Sequence, residues 1–125
     1  MDLIFWLLLG TALLAVAAIL VKLITSQWLK ERLRDYLSDR NVDSALVIKR
    51  SAVEAMLVEA TKNAPRAKLK DLESALKDLE NVDLILCSQD KDGEIRKLEK
   101  IKGEQGIEEP LDLYLDENDG LLIFT

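Results

Sequence analysis

The sequence contains no histidine and a single cysteine, and aromatic residues make up only 5% of its 125 residues. Without histidine the chain lacks the commonest general base and the commonest metal ligand in proteins. The one cysteine, Cys87, has no intramolecular disulfide partner, which is typical of a reducing compartment, and we expect it to be a buried thiol. These absences argue against an enzyme, so we predict no catalytic residue, and the sequence identifies no small-molecule substrate.

Basic charge is scarce in the second half of the chain. Residues 1–70 carry 11 Lys/Arg against 7 Asp/Glu, whereas residues 71–125 carry 6 against 16, and the net charge is −6. Such an acidic surface repels the phosphate backbone of nucleic acids. The charge balance therefore predicts that the protein does not bind nucleic acid.

Charge is absent altogether from residues 3–21, which read LIFWLLLGTALLAVAAILV. As a helix, this run would span about 28 Å at about 1.5 Å per residue, which matches the hydrocarbon core of a bilayer. The run predicts a single transmembrane anchor over residues 1–24. A cleaved signal peptide is the alternative, because Ala15-Val16-Ala17 offers an Ala-x-Ala site, but Met1-Asp2 lacks the basic residues that precede such peptides.

Positive charge follows the predicted anchor, beginning at Lys22, Lys30 and Arg32, and none precedes it. Since Lys and Arg are retained on the cytoplasmic side, we expect a single-pass protein of the plasma or inner membrane with its N-terminus outside. Residues 25–40 are predicted to form a juxtamembrane amphipathic helix. Its apolar side would lie along the headgroups, so membrane lipid is an expected partner.

Residues 41–125 are predicted to form a cytoplasmic domain with two helices. Ser51 and Glu54 form a capping box that predicts a helix from Ser51 to Lys62. A second helix follows Pro65 and continues to about Asn81, with leucines at 3-4-3 spacing from Leu69 onwards. The apolar run of residues 45–48 fits a buried strand or the opening of a helix, and periodicity does not separate the two over four residues.

Strands are predicted around these helices. Residues 82–87 are rich in strand formers, residues 111–115 alternate between apolar and polar, and residues 121–125 follow a turn as the hairpin partner of 111–115. Residues 94–102 form a weaker strand, and residues 103–110 a polar loop. The predicted fold is α+β, with an N-terminal transmembrane helix followed by two helices packed on an antiparallel sheet of about four strands.

One stretch, residues 88–99 with the sequence SQDKDGEIRKLE, resembles the twelve-residue calcium loop of EF-hand proteins. The resemblance implies side-chain ligands at Asp90, Asp92 and Glu99 and a backbone carbonyl ligand at Glu94. It departs from the pattern at the first position, where serine stands instead of aspartate, and no second loop is present to pair with it. An Asp-Gly turn between two strands explains the same residues. No other cofactor is expected.

Taken together, the sequence predicts a membrane-anchored, non-enzymatic interaction or assembly module. It would hold an acidic domain at the cytoplasmic face of the membrane, with a protein partner or a second copy of itself. The alternative is a calcium-responsive membrane protein that uses the loop at residues 88–99.

Overall fold

The computed structural model describes residues 3–125, which form five strands and five α-helices. The elements in chain order are α1 Leu3–Ala15, β1 Ile19–Ile24, α2 Ser26–Leu37, β2 Ser44–Lys49, α3 Arg50–Asn63, α4 Arg66–Asp78 with a 3-10 turn at Leu79–Asn81, β3 Leu84–Gln89, β4 Ile95–Ile107, α5 Glu109–Glu117 and β5 Leu121–Phe124. Met1 and Asp2, where the predicted anchor begins, lie outside the described residues.

The strands form one mixed sheet in the order β1-β4-β3-β2-β5. β1 runs parallel to β4, and the other neighbouring pairs are antiparallel. The edges of the sheet are therefore β1 and β5. β4 makes a bulge opposite β1, where a Cβ atom on Gly103 would lie 1.9 Å from the carbonyl oxygen of Gly106, so only glycine fits at this close approach.

Helices cover both faces of the sheet, and each face has its own hydrophobic core. Because side chains alternate along a strand, Ile85 and Cys87 of β3 face α1, α3 and α4, whereas Leu84 and Leu86 face α2 and α5. The central strands β2 and β3 are buried on both sides, which explains why residues 45–48 and 84–87 are continuously apolar.

The predicted membrane anchor is wrong. α1 has 13 residues and so measures about 20 Å at about 1.5 Å per residue, short of the roughly 30 Å hydrocarbon core. The chain leaves this helix at Ala15 and forms β1, which pairs with β4. Across residues 3–125, the structure contains no helix with the length and apolar character needed to cross a membrane.

The apolar run is instead divided between a core helix and an edge strand. Phe5, Trp6, Leu9 and Leu13 are buried against α3 and α4, so a protein interior takes the place that lipid was expected to have. A charge-free sequence suits either environment, and its hydrophobicity does not distinguish them. The predicted single-pass topology and the predicted location in a plasma or inner membrane, with the N-terminus outside, depended on this anchor. They are therefore wrong as well.

The two predicted helices of the domain are confirmed as α3 and α4. The beginning of α3 differs, because its N-cap is Lys49 and no side chain caps it, so Ser51 lies inside the first turn and not at the cap. The apolar run at residues 45–48, which fits either a strand or a helix, lies in strand β2. α2 begins after the Thr25 cap, within the predicted helix at residues 25–40, but it packs its apolar side onto the sheet.

The predicted strand at residues 111–115 is wrong, since these residues lie in α5. Leu111 and Leu115 stand four residues apart and share the buried side of this helix, while Pro110 and acidic residues occupy its first turn. β5 consequently pairs with β2. The expected antiparallel sheet of about four strands is in fact a mixed sheet of five.

Candidate interaction surface

Residues 88–99, which resemble a calcium loop, comprise the end of β3, the β3–β4 hairpin turn and the first part of β4. The Asp90 carboxylate accepts hydrogen bonds from the backbone N–H groups of Asp92 at 2.9 Å and Glu94 at 3.0 Å. Gly93 has φ +80°, the left-handed conformation that such a turn requires. The Asp90 carboxylate thus stabilises the turn, and Asp92 and Glu94 are exposed.

Glu99, the fourth predicted ligand, lies further along β4 with different partners. Its carboxylate accepts two hydrogen bonds from the Arg32 guanidinium and one from the Tyr36 hydroxyl at 2.5 Å. The Lys97 ammonium lies 4.9 Å from the centre of the Tyr36 ring. Among residues 3–125, no three carboxylate or cysteine side chains come together in a group that would hold a metal ion. Calcium binding stays an untested hypothesis.

The negative charge of Glu99 is stabilised by residues of α2. Burial alone would raise the pKa of Glu99, but the hydrogen bonds from Arg32 and Tyr36 outweigh this desolvation and hold the pKa below its ordinary value. Burial and the neighbouring carboxylate together raise the pKa of Tyr36. The cluster therefore contains an ionised carboxylate and a neutral phenol, and it connects α2 to β4 with a charge-assisted network.

A second buried charge joins α1, α4 and β4. Lys100 is 1% exposed, and its ammonium donates to the Asp78 carboxylate at 2.5 Å and to the backbone carbonyl of Leu13 at 3.3 Å. Both partners lie near the C-terminal end of a helix, where a positive charge is favoured. Sequence reasoning missed this residue and Arg32, because both act through partners that are distant in the chain.

The most distinctive surface of the molecule is a set of exposed apolar side chains on α1 and β1, here called the apolar strip. On α1 it includes Ile4, Leu8 and Leu14, and on β1 it includes Val21 and Leu23. Leu8 is 45% exposed, Val21 55% and Leu23 50%. No side chain of the strip is charged.

The outer face of α1 follows from helix geometry. Residues 4, 8, 11 and 15 recur at i, i+4, i+7 and i+11 and are all exposed, opposite the buried Leu9 and Leu13. The one polar member, Thr11, donates its hydroxyl to the backbone carbonyl of Leu7 at 3.1 Å. The outward side of α1 is therefore almost as apolar as its buried side.

The β1 part of the strip lies at an open sheet edge. Ile19 packs with the core on the α1 face and Leu20 with the core on the other face, so alternation places Val21 and Leu23 on the α1 face. The backbone N–H of Glu108, at the end of β4, donates to the Ile24 carbonyl at 3.0 Å, so the peptide groups of Ile24 face β4.

Peptide groups alternate in direction along a strand, as they do in any ladder of hydrogen bonds. Those of Leu20 and Lys22 therefore also face β4, together with those of Ile24. The peptide groups of Ile19, Val21 and Leu23 point away from the sheet. In the part of the chain that the structure describes, β1 has no neighbouring strand on that side.

A hollow lies between the C-terminal end of α1 and the first residue of β1. Its volume is about 420 Å³, and Leu14 of α1 and Ile19 of β1 both line it. The rest of its wall is polar and comes from the C-terminal part of α4 and the 3-10 turn, with the residues Ser74, Lys77, Asp78, Glu80 and Asn81. The hollow is thus apolar at Leu14 and Ile19 and polar on the side of α4.

Other exposed apolar side chains lie outside the strip. Leu113 is 55% exposed on α5, which packs on the opposite face of the sheet. Scattered apolar residues of this kind are normal on protein surfaces. They provide control positions of similar exposure.

Comparison of the chain with models of protein families, with curated proteins and with solved structures finds no match.

Proposed function

We propose that the protein is a non-enzymatic assembly module that binds a second copy of itself through the apolar strip. The observation that carries the proposal is the combination of an uncharged outer face on α1 with an open, apolar strand edge on β1. Folded proteins usually protect such edges with charges, bulges or covering elements, because an exposed edge pairs readily with another strand. In β1 the one charged residue is Lys22.

The outer face of α1 differs in composition from the outer faces of α2 and α4, and this difference supports α1 as part of the contact. α2 and α4 bury leucines on one side and carry charged residues on the other, among them Lys30 and Arg34 on α2 and Lys70 and Glu73 on α4. This is the usual pattern of a helix with one side in water. α1 departs from it, as expected of a helix whose outer face is covered in an assembly.

A matched pair of substitutions tests the proposal. Leu8→Lys places a charge in the strip, and Leu113→Lys places the same charge at a similarly exposed position on α5. The molar mass in solution is measured by light scattering or sedimentation at chain concentrations from about 1 to about 100 µM. We expect twice the mass of one chain for the wild type and for Leu113→Lys, and a monomer for Leu8→Lys, because a desolvated ammonium is costly in an apolar contact.

A monomeric wild type over this whole range contradicts the proposal. So does an equal effect of the two substitutions, because charge alone would then explain the change. Far-UV circular dichroism of each variant shows that a change in mass is not caused by unfolding.

A further inference from the structure

We infer that the two copies join through β1, which pairs antiparallel with β1 of the second copy about a twofold axis at Val21. The inference rests on the proposed self-association and specifies its geometry. It would extend the sheet continuously from one copy into the other. A twofold contact uses the same surface patch on both copies, which suits an edge strand that faces its own counterpart.

The outward peptide groups of β1 fix which residues form hydrogen bonds. Ile19, Val21 and Leu23 present their N–H and C=O groups at the open edge, as the hydrogen bond from Glu108 to the Ile24 carbonyl implies. With the axis at Val21, the two Val21 residues form one hydrogen-bonded pair. Ile19 of each copy then faces Leu23 of the other, and every outward peptide group between residues 19 and 23 finds a partner.

Charge excludes the neighbouring register. An axis at Lys22 would place the two Lys22 residues directly opposite each other on one face, and like charges in that position destabilise a strand pair. An axis at Leu20 would leave Leu23 without a partner strand. With the axis at Val21, Lys22 lies opposite Leu20 of the second copy, where its aliphatic chain covers an apolar neighbour and its ammonium reaches water.

The hollow beside Ile19 supplies the complementary surface. In this register, Leu23 of the second copy lies opposite Ile19 and on the same face of the sheet. Ile19 and Leu14 form the apolar wall of the hollow of about 420 Å³. Leu23 of each copy would therefore be covered by the hollow of the other, and the two Val21 side chains would cover each other at the axis.

Single cysteines measure the register directly. The Cα atoms of a hydrogen-bonded antiparallel pair lie about 5.5 Å apart, within the range of about 4.4 to 6.8 Å that a disulfide spans. Val21→Cys is thus expected to form a disulfide-linked dimer under mild oxidation. Lys22→Cys is the control, because the two positions 22 would be diagonal neighbours about 7 to 8 Å apart.

Both cysteine positions are exposed, so neither substitution removes a buried contact. The native Cys87 is buried and does not interfere with the crosslinking. Products are resolved on a non-reducing gel, and the backbone amide of Val21 is followed by hydrogen exchange above and below the dissociation concentration. We expect crosslinking of Val21→Cys alone and protection of the Val21 amide only in the dimer.

The outcomes separate this inference from the proposed function. Stronger crosslinking of Lys22→Cys overturns the Val21 axis. A third outcome is that the wild type is dimeric, Leu8→Lys is monomeric and neither cysteine variant forms crosslinks. This result overturns pairing through β1 and leaves self-association through α1 standing. A wild type that is monomeric at every concentration overturns both.

Discussion

Leu8 and Leu9 are consecutive residues of α1 with opposite surroundings, and truncating each of them tests whether this helix belongs to the core. Leu9 is 0% exposed and packs against α3 and α4, whereas Leu8 is 45% exposed. Gly10 follows them, and a Cβ atom there would lie 2.8 Å from a side-chain carbon of Leu72 on α4, which shows how closely the two helices pack.

Leu9→Ala removes a side chain from this close-packed contact, and such truncations cost about 2 to 5 kcal/mol through lost transfer energy and the cavity that remains. We expect a loss of about 3 kcal/mol in the free energy of unfolding. Leu8→Ala opens no cavity and keeps the helix propensity high, so we expect a change within about 0.5 kcal/mol.

Urea unfolding followed by far-UV circular dichroism measures both values. With a denaturant dependence of about 2 kcal/mol/M, the Leu9→Ala midpoint is expected to fall by about 1.5 M. The measurement is made at a concentration where the wild type is monomeric, so that the interface does not contribute to the stability of Leu8. Equal losses for the two variants, or a loss below about 1 kcal/mol for Leu9→Ala, would refute the placement of α1 in the core.

Two further predictions concern the charged residues. Glu99→Gln is expected to cost about 1 to 3 kcal/mol near pH 7, because it weakens hydrogen bonds to a charged group. Since contacts with Arg32 and Tyr36 depress the pKa of Glu99, its contribution is present above the ordinary pKa of a glutamate, about 4.3, and is lost as the pH falls through the lower value in the folded protein. The stabilities of wild type and variant should therefore converge as the pH falls below the ordinary pKa of a glutamate, and a difference that does not change with pH would show that the charge is unimportant. Millimolar calcium is expected to leave the melting temperature equal to that in chelator, since Asp90 stabilises the turn and Glu99 binds Arg32; a clear rise would instead support the calcium loop.

Local patterns predicted some elements well. The spacing of apolar residues places one face of α3 and one face of α4 in the core, so a few residues suffice to indicate each helix. The capping box predicted at Ser51 is absent, although the helix itself forms. The strand at residues 84–89 is similarly apparent from its apolar run. These elements are indicated by features that lie within one or two turns of chain.

The predictions of the membrane anchor and of the strand at residues 111–115 were wrong because each sequence pattern fits two different structures. The run at residues 3–21 has neither glycine nor proline between Ala15 and Ile19 to show that the helix ends there. Leu111 and Leu115 satisfy both a strand alternation and an i, i+4 helix face, and the helix-favouring signal of Pro110 in the first turn decides between them.

The charged contacts were beyond sequence reasoning for a different reason. Arg32 and Glu99 are 67 residues apart, and Lys100 reaches the Leu13 carbonyl across 87 residues. Nothing in the local sequence indicates such pairs, because they depend on how α2 and α1 pack on the sheet. The edge position of β1 likewise follows from the strand order and not from its composition.

The hydrophobicity of residues 3–23 nevertheless has a consistent explanation in this fold. The buried side of α1 accounts for part of it, since Leu9 and Leu13 lie in the core, but a helix in contact with water on its other side would be expected to carry charges there. The outer face of α1 carries no charge, and the edge strand β1 carries one, Lys22. In the proposed dimer, β1 of the second copy would cover the open edge with an apolar strand and matching peptide groups. The proposal also requires the outer face of α1 to be buried in the same contact, and the Leu8→Lys variant tests that requirement.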